Sequence, residues 1–274
     1  MTEPAPDLDA YFARLGYTGA RAAEPGVLRA LLAAHVQAVP FENLAVLLGR
    51  RIDLQPSAIA DKLVTRRRGG YCFEHNSLFR DVLRALGFRV TPLLARVRWQ
   101  VPAEVRTPLT HMVLRVDVDG RPWLVDAGFG SVGATAPLAL DTEAEQVTSH
   151  DRRRLICRGS HIVHQVAFGT ESDWRDVYEF TLEPPAPLDF ELGNWYSCTH
   201  PRAHFLNNLV VTLVRPEGRV AIFNREFTVR DLAGRAKTRP IGSRDELLGL
   251  LADPFGLRFP PGTRFDAPNL DWPA

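Results

Sequence analysis

The hydrophobic period of this chain changes at Gly87, and that change sets its broad architecture. Before Gly87, apolar residues recur at spacings of three and four; beyond it they alternate with polar ones. Residues 8–15 read as a short helix closed by Gly16. A second helix begins after Pro25, carries Leu28, Leu31, Leu32, Val36 and Val39 on one side, and stops at Pro40. Phe41-Glu42-Asn43-Leu44 reads as a compact turn, and a third helix spans about 57–67. A fourth carries Phe73, Leu78, Phe79, Val82, Leu83 and Leu86 on one face, and Gly87 stops it. Residues 1–87 therefore predict a helical bundle.

Residues 88–190 predict an antiparallel β-barrel or sandwich. Residues 90–99 read as a strand. From His111 to Val118 the chain alternates, with Met112, Leu114, Val116 and Val118 on one face and His111, Val113, Arg115 and Asp117 on the other. Asp119-Gly120 is a hairpin turn signal, and Trp123-Leu124-Val125-Asp126 returns as the partner strand. Further strands are expected at 162–168 and 177–182. The proline-rich 183–187 marks a connection into an α/β segment, 191–274. That segment holds a hairpin (209–214 and 219–223) and a last helix, 245–251, with Ser243 and Glu246 as its capping box. Residues 260–274 read as irregular. The fold class is α+β, in three parts.

With 274 residues the chain buries a substantial core without staples. A net charge of +1 argues against nucleic acid or an anionic membrane as the main partner. Cys72, Cys157 and Cys198 form no Cys-x-x-Cys pair and leave an odd one over, which points to a reducing cytoplasm. The first seven residues lack the basic start and apolar run of a signal peptide, and no apolar run reaches membrane-span length.

Cys72 opens the fourth helix, directly after Arg68-Gly69-Gly70-Tyr71. Free N–H groups and the positive dipole end there favour an anion, and so a reactive thiolate. A buried structural thiol is the competing reading. A two-residue Asp119-Gly120 turn pairs Val118 with Arg121, which places Val113 opposite Asp126 and His111 opposite Gly128. His111 and Asp126 are then diagonal neighbours on one face. A carboxylate beside an imidazole fixes its tautomer, and the imidazolium can hold a cysteine as thiolate. A satisfied structural histidine is the alternative.

Other signals carry less. Gly128-Phe129-Gly130-Ser131-Val132-Gly133 fits G-x-G-x-x-G after a strand, but Pro137 and its neighbours offer no following helix, so a dinucleotide fold is rejected. The loop can still let a ligand approach backbone N–H groups. Arg66-Arg67-Arg68 reads as a solvated complement to the helix dipole, with holding a thiolate or an anionic ligand as the second reading. Arg152-Arg153-Arg154 reads as a solvated connection. His161 and His164 point to opposite faces of a strand, and no spacing reads as a metal site. Phe41, Tyr71, Phe129 and Phe205 are core, or they line an apolar slot for a flat substrate.

Five segments together resemble the arylamine N-acetyltransferase family, bacterial type. They are Pro40-Phe41-Glu42-Asn43-Leu44, Arg68-Gly69-Gly70-Tyr71-Cys72-Phe73-Glu74-His75-Asn76, Thr110-His111, Val125-Asp126-Ala127-Gly128-Phe129-Gly130, and Trp195-Tyr196-Ser197-Cys198-Thr199-His200-Pro201 followed by Phe205. The resemblance implies a helical bundle, a β-barrel and an α/β lid around a papain- or transglutaminase-like Cys-His-Asp core. It implies Cys72, His111 and Asp126 as the catalytic residues of a ping-pong reaction, in which Cys72 takes the acetyl group of acetyl-CoA and passes it to an arylamine or hydrazine. CoA contacts are implied at Thr110, Gly128, Phe129, Gly130 and Phe205, and acceptor contacts at Phe41, Tyr71, Phe129 and Phe205. No metal is implied. An amide synthase that releases a polyketide chain, or a thiol amidase or hydrolase, would use the same three residues.

Overall fold

Eight antiparallel strands form the frame on which the site is mounted. In the computed structural model, which describes residues 5–169 and 173–272, they are β2 (Arg89–Val97), β3 (Leu109–Val118), β4 (Arg121–Val125), β5 (Leu138–Ala139), β6 (Gln146–Val147), β7 (Arg152–Arg158), β8 (His161–Ala167) and β9 (Arg175–Phe180). Their order is β5-β4-β3-β2-β9-β8-β7-β6, and the sheet curls almost into a barrel. A side chain closes the seam. Gln146 on β6 accepts from the Ala139 N–H through Oε1 at 2.7 Å and donates to its carbonyl through Nε2 at 3.0 Å, so one amide stands in for a strand pair.

β3 is buried on both faces. Val113 joins Leu93, Ala95, Leu124, Val177 and Tyr178 inside the curled sheet, while Met112, Leu114, Val116 and Val118 pack against the helices outside it. The expected register holds: Val118 pairs with Arg121 and Leu114 with Val125. Asp119 and Gly120 both take left-handed backbone, φ 52° and 70°, as a two-residue hairpin turn requires.

The packed helices are α1 (Leu8–Leu15), α2 (Pro25–Ala38) and α5 (Cys72–Ala85), with the shorter α3 (Leu44–Leu47) and α4 (Pro56–Ala60) between. Asp7 caps α1 by accepting from the Ala10 N–H at 2.9 Å, and left-handed Gly16 ends it. The second sheet, β1-β10-β11-β12-β13, takes β1 (Phe41–Glu42) from the N-terminal region. Its other strands are β10 (Val210–Arg215), β11 (Gly218–Phe223), β12 (Glu226–Asp231) and β13 (Ala236–Pro240). Helices α6 (Pro187–Thr199), α7 (His204–Asn207) and α8 (Arg244–Ala252) complete this region. Ser243 caps α8 by accepting from the Glu246 N–H at 3.1 Å, and Glu246 answers to Gly242 rather than to Ser243.

Several expectations need correction. Phe41–Glu42 is a strand paired with Val211 and Thr212, and Leu44 opens a helix, so 41–44 is more than a turn. The third helix is α-helical only over Pro56–Ala60, widens to a π turn over Asp61–Thr65, and ends before Arg66. Arg152, Arg153 and Arg154 begin β7, and Arg153 is wholly buried. The proline run leads straight into α6, and β12 and β13 were not expected. Parts of two expectations, on residues 1–4 and 273–274, lie outside the described residues. Among the described residues no helix is long and apolar enough to cross a membrane, and no group of three or more His, Cys, Asp or Glu could hold a metal.

Candidate active site

Cys72 is the first residue of α5, with Tyr71 as its cap. Glu74, in the first turn, reaches back to accept the Tyr71 N–H at 3.1 Å and takes Lys62 Nζ on its other oxygen at 2.6 Å. Burial raises the Glu74 pKa, and Lys62 opposes that shift. The Cys72 thiol lies 3.5 Å from the Thr110 carbonyl, to which it donates.

His111 and Asp126 meet as the hairpin register demands, with His111 Nε2 2.8 Å from Asp126 Oδ2 and both side chains almost fully buried. Burial alone would lower the His111 pKa. The Asp126 charge and hydrogen bond, with a further contribution from the Cys72 side chain, outweigh it and raise the value to about 10. With Nε2 committed to Asp126, Nδ1 is the ring atom left for Cys72. Burial would likewise raise the Asp126 pKa, yet His111, Asn76 and the Gly128 N–H bring it below the ordinary value.

Asn76 is the residue that sequence reasoning missed. It stands four residues after Cys72, on the same face of α5. Its Nδ2 donates to the Met112 carbonyl at 2.7 Å and to Asp126 Oδ1 at 3.0 Å, and its Oδ1 accepts the Ala127 N–H at 2.9 Å. One amide thus locks α5, β3 and the loop after β4 into one register. The i+4 position of a polar residue, on a helix whose Cys72 already faces a strand, was the available signal.

The glycines serve the chain's own packing. A Cβ on Gly69 would lie 2.2 Å from the Pro40 carbonyl oxygen, and one on Gly70 would lie 2.7 Å from Glu74 Oε2. Only glycine lets this turn lie against Pro40–Glu42, where the Glu42 N–H bonds the Gly70 carbonyl at 2.7 Å. The Arg66–Arg68 run turns elsewhere: Arg66 pairs with Asp61, and Arg68 lies over the Phe259 ring at 4.0 Å.

The four aromatic residues fall into two sets of ring contacts. Phe205, on α7, packs on Phe41 at 5.8 Å and edge-on to Tyr71 at 5.4 Å. Asn43 holds α7 in place, donating to the Phe205 and Asn208 carbonyls, both at 2.7 Å. The Tyr71 ring is fully buried, with its hydroxyl bonded to Asn194 on α6. Phe129 stands edge-on to His111 at 5.0 Å.

A buried chain of neutral rings supports α5 from behind. His75 Nε2 faces only carbonyls, Pro40 at 3.2 Å and Gly70 at 3.1 Å, so it must be the protonated nitrogen. His75 Nδ1 then accepts from His35 Nε2 at 2.8 Å, and His35 Nδ1 accepts from the Tyr11 hydroxyl at 2.7 Å. Both imidazoles are held neutral by burial, His75 with a pKa lowered to about 4. A lowered folded-state value means that stability is fully present above the unfolded value near 6.5 and is lost as pH falls toward 4. The shift at His75 corresponds to about 3 kcal/mol. The urea midpoint is therefore expected to fall already between pH 6.5 and 5, before most carboxylates titrate. A flat midpoint over that window would show that the chain is not held neutral.

Comparison with known proteins places this arrangement. The N-acetyltransferase family model matches residues 26–262. The chain is accordingly an acyltransferase. An arylamine N-acetyltransferase of Mycobacterium tuberculosis H37Rv is 40% identical over 255 residues, covering 92% of this chain and 89% of that protein. An arylamine N-acetyltransferase / N-hydroxyarylamine O-acetyltransferase of Salmonella typhimurium is 39% identical over 251 residues, covering 91% and 88%. The solved Mycobacterium marinum arylamine N-acetyltransferase in complex with CoA superposes with a TM-score of 0.87 at 38% identity, covering 92% of this chain and 93% of that one. The chain belongs to the arylamine N-acetyltransferase family.

Proposed function

We propose that this enzyme moves an acetyl group from acetyl-CoA to an aromatic amine or hydrazine through a thioester on Cys72. The observation that carries this reading is the buried His111–Asp126 pair at 2.8 Å, tied by Asn76 to the helix that Cys72 opens, with the Cys72 side chain adding to the upward shift at His111. Asp126 keeps a proton on His111, and the imidazolium stabilises a Cys72 thiolate. The thiolate attacks the thioester carbonyl of acetyl-CoA. The C–S bond to CoA breaks, and the CoA sulfur leaves with the proton from His111. The amine then attacks acetyl-Cys72, His111 accepts its proton, and the Cys72 thiolate departs as the amide forms. Atoms and charge balance over the two halves without an oxidant or a metal.

In this reading residues 1–87 supply the nucleophile, 88–190 the base and its orienter, and 191–274 the lid that carries Phe205. Thr110, Gly128, Phe129, Gly130 and Phe205 would line the approach of CoA, and Phe41, Tyr71, Phe129 and Phe205 the acceptor slot. The M. marinum relative solved with CoA supports the cosubstrate. All three cysteines are free, which suits a reducing cytoplasm.

Intact-protein mass spectrometry after incubation with acetyl-CoA alone is expected to show one added acetyl group, absent from Cys72→Ala. Addition of an arylamine should discharge it. An unmodified wild type defeats the proposal, and an adduct retained by Cys72→Ala moves the nucleophile elsewhere. An adduct discharged by water as fast as by amine would make the enzyme a hydrolase.

A further inference from the structure

The arginine run at 152–154 has no part in the proposed reaction, yet its middle member points into the protein. Arg153 shares a face of β7 with Leu155, which lies in the core inside the curled sheet, and it is wholly buried. Its guanidinium serves three partners. Nε and Nη2 grip Asp151 as a fork, at 2.6 and 2.8 Å. Nη1 donates to His164 Nε2 at 2.9 Å, which leaves the His164 proton on Nδ1. Nη2 also donates to the Val132 and Gly133 carbonyls, at 2.7 and 3.0 Å.

Those two carbonyls close the loop that follows β4. Its start is tied to the catalytic residues, with the Ala127 N–H on Asn76 and the Gly128 N–H on Asp126, both at 2.9 Å. Its end folds back, the Gly133 N–H bonding the Gly130 carbonyl at 3.0 Å. Between these anchors stand Phe129, edge-on to His111 at 5.0 Å, and Gly130, whose φ is 88° and whose added Cβ would lie 3.0 Å from the Phe41 ring. Residues 128–133 belong to no helix or strand, so no backbone ladder holds their shape.

A buried ion pair is a poor device for stability alone. Desolvating both charges costs several kcal/mol, and apolar side chains of the same volume often do as well or better. An apolar side chain cannot donate to loop carbonyls. Asp151, for its part, is also held by Arg219 at 2.9 Å and Thr148 at 2.8 Å. The hold on 132–133 is therefore the contribution of Arg153 that the other partners of Asp151 do not duplicate.

We propose that Arg153 is a positioning residue for acetyl transfer: by gripping Val132 and Gly133 it holds Phe129 and Gly130 in the shape that acetyl-CoA meets, which rests on the reading of Gly128–Gly130 as the approach of CoA. Arg153→Lys keeps a charge beside Asp151 but loses the fork. Arg153→Met fills similar volume without any donor, and Arg219 still neutralises Asp151.

Both variants are expected to raise the KM for acetyl-CoA roughly tenfold, with kcat within about threefold of wild type. Amide hydrogen exchange over residues 128–133 should quicken in both. Iodoacetamide, too small to need the loop, should alkylate Cys72 at the wild-type rate. Arg219→Gln disturbs the same ion pair from its other side without touching the loop, so it should lower the unfolding midpoint and leave the KM unchanged. An unchanged KM and unchanged exchange in the arginine variants overturn the inference. A parallel fall in Cys72 alkylation, or failure of both variants to fold, also overturns it, because Arg153 would then serve the core in general. A wild type that acetyl-CoA does not acetylate defeats the proposed function instead, and the exchange of residues 128–133 still decides whether Arg153 holds the loop.

Discussion

Asp126→Asn is expected to slow acetyl transfer by on the order of 10⁴-fold, the scale seen when the orienting carboxylate of a nucleophile–histidine–aspartate system is replaced by its amide. The physical reason lies in the balance at His111. Burial pulls its pKa down and Asp126 lifts it to about 10. An amide at 126 removes the lifting charge and leaves the burial, so the imidazole is neutral at pH 7 and Cys72 loses its counter-ion. The same variant should slow the alkylation of Cys72 at neutral pH, because no imidazolium is left to hold the thiolate. The sign for stability is opposite to that of His75. A raised His111 value stabilises the fold fully below about 6.5, and the contribution is lost as pH climbs toward 10. The high-pH loss should therefore be smaller in Asp126→Asn than in wild type. A variant within tenfold of wild-type rate, with an unchanged rate of Cys72 alkylation, would remove Asp126 from the role assigned to it.

The local patterns were the legible ones. The Asp119-Gly120 turn fixed a hairpin register that placed His111 beside Asp126, because a two-residue turn leaves one pairing. Cys72 at a helix start followed from a glycine turn and a 3.6-residue stripe. What stayed hidden depends on partners far along the chain. Phe41–Glu42 is a strand only because Val211 and Thr212 lie beside it. Arg153 reads as solvated, yet it sits fully buried because Asp151 takes two of its N–H groups and the Val132 and Gly133 carbonyls take more. Helix α6 was not expected, for another reason. Leu188, Leu192 and Trp195 are exposed while Gly193, Asn194 and Ser197 are buried, which inverts the usual stripe. The buried face is small and polar because it meets the Tyr71 hydroxyl and the strand carrying Thr110 and His111; a Cβ on Gly193 would lie 3.0 Å from the Leu109 carbonyl oxygen.

Gly128→Ala tests how closely the loop after β4 must approach the nucleophile. A Cβ at 128 would lie 2.8 Å from His75 Cβ, 2.9 Å from Cys72 Cα and 3.3 Å from Asn76 Nδ2. The first two belong to the rigid first turn of α5 and cannot swing away as a long side chain could. Either the loop or the helix start must move, and the loop is tied down by the Ala127 N–H on Asn76 and the Gly128 N–H on Asp126, both at 2.9 Å. Displacements approaching 1 Å at reacting groups cost on the order of 10²-fold in rate, and overpacking of this kind costs about 1–3 kcal/mol of stability. We therefore expect kcat/KM to fall by roughly 10–100-fold, with a lowered unfolding midpoint. Gly249→Ala is the matching control: it lies in α8 with nothing within 4 Å of the added methyl, and it should be neutral or stabilising by up to about 1 kcal/mol. If Gly128→Ala instead acetylates Cys72 at the wild-type rate, the contact between loop and helix start is not what sets the reacting geometry. Both variants add the same single methyl, so a difference between them isolates the clash at Cys72 from the general cost of replacing glycine.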